Sequence, residues 1–178
     1  EGLWKKREAE GKSLLIETKD LGPHSKGCLM APIPEPLRKQ IVDWVIENVA
    51  DFHLAEKGRE LTPHVTVLYG WPADFTEEQL GELKGMLTRF GPIKLTLGGL
   101  NAFRGGEDGG VLHVEVESPQ LVELNAVLSE AYGIESKHGE YKPHLTLAYL
   151  QEEAVDLYLE EQPPFLNANV AVEELEWS

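Results

Sequence analysis

A short pattern that occurs twice constrains this chain more than anything else in it. TPHVTVLYG occupies 62–70 and KPHLTLAYL occupies 142–150, so Pro-His-apolar-Thr-apolar recurs eighty residues apart. His64 and Thr66 thereby have counterparts in His144 and Thr146. Each copy alternates polar and apolar residues, the period of a half-buried strand. On such a strand His64 and Thr66 project to one side and Val65 and Val67 to the other, and the same holds for His144 and Thr146 against Leu145 and Leu147. The apolar members can then bury in a core while the His/Thr pairs face a cleft. Pro63 and Pro143 suit the first position of a strand, where the missing N–H breaks no ladder bond. The same alternation predicts Leu68 and Ala148 as an apolar floor on the His side, and Tyr69 and Tyr149 as packing residues on the core side.

The flanking chain supplies the other elements of an α+β fold. Residues 1–24 read as a mixed-charge extension in which LLIET can add an edge strand and KKR is a solvated face. The domain then spans 25–178. SKGCLMAPIP (25–34) is a first core strand, and Leu37, Ile41, Val42, Val45, Ile46 and Val49 have helical spacing over 36–50. Residues 53–63 read as a polar loop. Thr76-Glu-Glu-Gln79 is a capping-box signature for a helix to about 89. IKLTLGGLNAF (93–103) is a strand, GGEDGG (105–110) a flexible turn and VLHVEVE (111–117) a paired strand. Ser118-Pro119 opens the next helix in cap and first-turn order. A short acidic helix at EEAVDLYLEE and one last strand within 165–177 close the chain. Each motif strand follows a helix and an upstream strand, which predicts two similar lobes rather than a parallel doubly wound sheet.

Charge and composition narrow the function classes. Thirty-one acidic against 16 basic residues give a net charge of −15. Such a field repels long polyanions and argues against a protein that coats RNA or DNA, while leaving room for a small nucleotide. Cys28 is the sole cysteine, which excludes an internal disulfide and a cysteine-rich metal site. No apolar run is long enough for a membrane span, and the single cysteine makes a reducing, cytoplasmic setting the expectation. A start at Glu1 fits a processed product or an excised domain.

Two imidazoles facing a common space, each beside a hydroxyl, suit phosphoryl chemistry. Histidine's ordinary pKa of ~6.5 lets one ring act as base while the other acts as acid at neutral pH. One takes a proton from a 2′-hydroxyl or water and the other protonates the departing oxygen. The threonine hydroxyls can hold the non-bridging phosphate oxygens in line. A single His-x-Thr strand is usually structural; two in matching context point to a shared site. A bis-histidine metal site is an alternative reading, since imidazole is a common ligand. A non-catalytic nucleotide-binding or structural module, one domain of a larger protein, is another. Lys142, Lys137 and Arg104 are candidates to balance phosphate charge, and Tyr141 and Phe103 to stack a base. His113 is read as a surface residue of an alternating strand, and His24, His53 and His138 as loop residues.

The two PHxT strands resemble the 2H phosphoesterase superfamily, which includes 2′-5′ RNA ligase-like proteins and cyclic phosphodiesterases. The resemblance covers roughly 25–178. It implies a bilobal α+β fold with pseudo-twofold symmetry, two antiparallel-rich sheets with flanking helices, and a central cleft lined by both motifs. It also implies a phosphodiesterase that needs no metal or other cofactor, with His64 and His144 as catalytic residues and Thr66 and Thr146 as phosphate-binding hydroxyls. Ligase-like members often carry Arg after the second motif, where this chain has Tyr149. The wording HVTVLYG and PHLTLAY is more similar to phage and bacterial members, some of them nucleases that destroy cyclic oligonucleotide messengers (anti-CBASS nucleases). The implied substrate is a small nucleotide or cyclic oligonucleotide.

Overall fold

The computed structural model describes residues 27–72, 74–136 and 139–177, and the backbone alone of 15–18. Among these residues nine strands form: β1 (Leu15–Thr18), β2 (Gly27–Pro32), β3 (Leu54–Arg59), β4 (His64–Trp71), β5 (Ile93–Gly106), β6 (Gly109–Glu117), β7 (His144–Leu150), β8 (Asn169–Val172) and β9 (Glu174–Trp177). Four α-helices of the described residues accompany them: α1 (Leu37–Asn48), α2 (Glu77–Leu87), α3 (Pro119–Tyr132) and the short α4 (Val155–Leu159).

Local sequence chemistry accounts for the helices. Leu37, Ile41, Trp44 and Val45 form one buried stripe on α1. The Thr76 hydroxyl accepts from the Gln79 amide and the Gln79 side chain accepts from Thr76 N–H, the reciprocal cap that starts α2. On α3 the Ser118 hydroxyl accepts from the Leu121 amide, Pro119 fills the first turn, and Gly133 closes the helix at φ 63°.

The strands join one continuous sheet in the order β1-β9-β2-β4-β7-β6-β5-β8, with β3 also on β7. Every pairing is antiparallel except that of β1 with β9. The expectation of two sheets is corrected here, and the reason is visible at the centre. β4 and β7 pair through Val65 and Leu145 alone, so two runs of four strands meet at a narrow seam formed by the two motif strands. The helices cross that seam: α1, which follows β2, packs against β7, and α3, which follows β6, packs against β4. A single apolar core runs from Leu29 and Val65 through Leu145 to Leu175 and Trp177.

β8 ends one side of the sheet path and β9 lies next to the other end, yet only Glu173 separates them. Two chain steps reach about 7 Å. The sheet therefore rolls until its far ends are neighbours.

Other expectations also change. The expected polar loop 53–63 contains β3, which pairs Leu54 with Leu150 and Arg59 with Ala148. Past the seam β4 diverges from β7, and the exposed edge of β7 needs partners; β3 and the Glu60 amide, which donates to the Leu147 carbonyl at 2.9 Å, provide them. The glycine-rich 105–110 is mostly strand, because β5 runs to Gly106 and β6 restarts at Gly109. The last strand is divided in two at Glu173. No helix among the described residues is long and apolar enough to cross a membrane.

Candidate active site

Val65 and Leu145 are cross-strand partners and neither is exposed. One step to either side, the antiparallel register sets His64 opposite Thr146 and Thr66 opposite His144. All four are partly exposed, whereas Val65, Val67, Leu145 and Leu147 are sealed in the core. The structure thus brings both His/Thr pairs to one face across the seam. His64 Nδ1 lies 2.8 Å from the Thr62 carbonyl oxygen, and His144 Nδ1 lies 3.0 Å from that of Lys142. A carbonyl only accepts, so Nδ1 carries the proton in each ring and Nε2 is left for chemistry. The same two-residue step back along the chain orients both rings.

Both motif strands bulge at the same motif position. β2 pairs Leu29 with Leu68 but Met30 with Thr66, leaving Val67 unpaired. β6 pairs Leu112 with Ala148 but His113 with Thr146, leaving Leu147 unpaired. The extra residue reverses side-chain parity beyond it. Leu68 and Ala148 therefore turn into the core instead of flooring the His side. Tyr69 and Tyr149 turn outward to the His side rather than packing in the core. Tyr69 is 59% exposed and sits across from Cys28, whose thiol hydrogen-bonds the Thr66 side chain. Burial pushes the Cys28 thiol up, against that hydrogen bond.

Two contacts hold the bulge in β4. The Asn125 amide of α3 donates to the Val67 carbonyl at 2.7 Å, and the Tyr141 hydroxyl donates to the Thr66 carbonyl at 2.6 Å. Burial pushes the Tyr141 phenol far above its usual range, so Tyr141 stays a donor. Asn125→Ala should leave the Val67 carbonyl without this partner and cost about 1–2 kcal/mol, read as a lower midpoint in urea with the slope unchanged.

His113 corrects the expectation of a surface residue: it is 2% exposed. Its ring stacks on Phe103 at 4.2 Å, and Phe103 meets the His144 ring edge-on at 4.8 Å. The His113 and His144 centroids are 5.1 Å apart. Phe103, on the neighbouring strand, covers His113 and remains 44% exposed itself, which alternation within β6 alone does not reveal. Burial lowers the His113 pKa, the Val111 carbonyl opposes that shift, and the neighbouring His144 adds to it. A depressed folded pKa means that the unfolded chain binds the proton more readily. The stability from neutral His113 is thus complete above the ordinary pKa of ~6.5 and is lost as pH falls through the folded value. His113→Gln should flatten the acid limb of stability below ~6.5, measured by urea unfolding across pH. On the same face Asn101 donates to Glu115 at 2.7 Å, and Glu115 lies across from His144.

The other predicted residues are distributed unevenly. Lys142 is exposed beside His144 and its carbonyl orients that ring. Arg104 is not brought to the His/Thr pairs; it alternates with Phe103 along β5 and forms an ion pair with Asp156 of α4. His53 hydrogen-bonds the Tyr158 hydroxyl through Nδ1 at 2.6 Å. His24, Lys137 and His138, with the KKR cluster, lie outside the described residues. Sequence reasoning misses Lys57, whose ammonium lies 5.2 Å from the Tyr149 ring centroid, because the residues of β3 read as a loop. Among the described residues no three His, Cys, Asp or Glu side chains converge as a metal-binding group.

The 2′-5′ RNA ligase superfamily model matches residues 33–177, nearly the whole described domain. Among solved structures, Escherichia coli LigT complexed with ATP superposes with TM-score 0.60 and 21% identity, over 86% of this chain and 85% of that one. LigT complexed with NADP+ gives TM-score 0.56 and 22% identity, with 86% of each chain covered. A Thermus thermophilus protein gives 0.58 and 18%, over 85% of this chain and 86% of its own. A search of curated protein sequences gave no match. The doubled motif, the shared face it builds and the match over 33–177 together make this chain a member of the 2′-5′ RNA ligase superfamily, the 2H phosphoesterases.

Proposed function

We propose that this protein is a metal-independent phosphodiesterase that cleaves a cyclic or 2′-hydroxyl-flanked phosphodiester in a small nucleotide or cyclic oligonucleotide. The observation that carries the reading is the Val65–Leu145 register, which sets each motif histidine beside the other motif's threonine. One Nε2 takes the proton from the attacking water or 2′-hydroxyl as its oxygen bonds to phosphorus. The other imidazolium delivers a proton to the leaving oxygen as that P–O bond breaks, so the pair exchanges roles and no net charge is left behind. The Thr66 and Thr146 hydroxyls donate to the non-bridging oxygens, where negative charge gathers in the transition state. The half-exposed face of Phe103 offers a base a stacking surface, and Lys142 stands beside His144 to offset phosphate charge. Tyr141 acts through the Thr66 backbone that it holds.

Several observations favour small substrates. The net charge of −15 repels long polyanions. The LigT structures similar to this fold were solved with ATP, NADP+ and 3′-AMP, all small nucleotides. The equivalent bulges and the reciprocal register also support a bilobal reading, with a pseudo-twofold axis through the Val65–Leu145 pair.

The test is turnover of 2′,3′-cyclic mononucleotides, cyclic dinucleotides and cyclic trinucleotides with EDTA present, beside His64→Ala and His144→Ala. Activity that survives the chelator and disappears in both variants is expected. Loss on chelation would instead mean a bis-histidine metal centre. No turnover by the unmodified protein would leave a nucleotide-binding module.

A further inference from the structure

The bulge at Leu147 makes Tyr149 the next residue after Thr146 to face outward on β7. What stands over it comes from β3. Between its two pairings with β7, β3 spends four residues, 55–58, against Tyr149 alone on the partner strand, and so arches out of the sheet. Lys57 is in this arch, and its ammonium lies 5.2 Å from the Tyr149 ring centroid. Its charge is further held by Asp108 at 3.0 Å, in the turn between β5 and β6. The Asp108 hydrogen bond is the main cause of a raised Lys57 pKa, opposed by slight burial and helped by Tyr149 and Tyr69. A cation thus stands at the rim of the His/Thr face in a strongly acidic protein. Two other nearby cations are committed elsewhere, Arg59 to Asp51 and Arg104 to Asp156.

We infer that Lys57 binds a second phosphate of the substrate, one linkage away from the phosphodiester at the histidines, by exchanging Asp108 for that phosphate. This inference rests on the phosphodiesterase reading and narrows it to substrates with two or more phosphates. The exchange is physically easy. Lys57 and Asp108 are both well exposed, and such surface pairs contribute at most about 1 kcal/mol. A phosphate diester offers the ammonium a full charge with two unesterified oxygens, and the Tyr149 ring keeps the lysine stem from collapsing away. A one-phosphate substrate occupies the histidines and leaves Lys57 with Asp108.

The test compares Lys57→Met, which keeps the apolar stem, with Asp108→Asn, which removes the competing carboxylate. The two probes are 2′,3′-cyclic AMP, with one phosphate, and a 3′-5′-linked diadenylate carrying a 5′-phosphate, with two. Lys57→Met should raise KM for the diadenylate about five- to tenfold more than for the cyclic mononucleotide, with little change in kcat. Asp108→Asn should lower KM for the diadenylate, and the salt dependence of that KM should weaken in Lys57→Met. Calorimetric binding of both probes to the His64→Ala/His144→Ala double variant, with and without Lys57→Met, separates this claim from catalysis. If the unmodified protein turns over neither probe, the phosphodiesterase reading fails, yet the binding arm still decides the role of Lys57. Equal weakening for both probes, or no weakening, overturns the second-phosphate site.

Discussion

His64→Ala and His144→Ala should each lower kcat/KM about 10²–10⁴-fold on the substrate found to turn over, the range for a positioned acid or base. The double variant should be little worse than the poorer single one, because acid and base act on one transition state and their losses do not add. Thr66→Val and Thr146→Val should show smaller losses concentrated in kcat, since each removes a donor that matters most as charge gathers on the non-bridging oxygens. Both residues are partly exposed, so the histidine variants should unfold at nearly the unmodified midpoint. A large loss of activity with an unchanged urea transition is the informative result. Activity retained in either histidine variant would remove that histidine from the mechanism.

The largest effect on stability should come from Trp71→Ala, at about 3–5 kcal/mol. Trp71 is fully buried at the end of β4, with ring centroids of Phe75, Tyr132 and Trp177 at 5.0, 4.9 and 4.8 Å. Its indole N–H donates to the Leu68 carbonyl at 3.0 Å, just after the bulge. The truncation thus opens a cavity and frees a buried carbonyl together. With typical domain stabilities of about 5–15 kcal/mol, the variant should unfold at far lower urea. Gly27 marks how closely the cluster is packed: a Cβ there would lie 2.8 Å from Trp177 and 2.9 Å from Trp71. Trp71→Phe should cost clearly less than the alanine change, which separates lost volume from a general intolerance at the site.

The motif strands are legible in the sequence as far as the threonines and no further. Period-two alternation is local, so it places His64, Thr66, His144 and Thr146 on one side and their valine and leucine neighbours in the core. A bulge is a property of two strands and the partner each pairs with. Nothing within LTLAY marks Leu147 as unpaired, and so alternation assigns Tyr69 and Tyr149 to the wrong side. His113 is misjudged for a similar reason, because Phe103, which covers it, comes from the adjacent strand. Lys57 is hidden because AEKGR has too few β-formers to read as strand, and it pairs only where β7 has an edge to satisfy. The helices read well since their signals, Thr76 with Gln79 and Ser118 with Pro119, are contained within a turn or two of chain.

Among the described strands β8 and β9, one residue apart, are also the last to be synthesised. β9 lies between β1 and β2, and its partners in β1 are encoded at the opposite end of the described residues. While β8 and β9 are still within the ribosome, β2 lacks its outer neighbour and β5 lacks one of its two. Both motif strands precede them in the chain, so His64 and His144 can meet at the seam first. The roll around them closes only once both late strands have emerged, and until that moment a nascent chain carries two open strand edges, each a template for pairing with another chain.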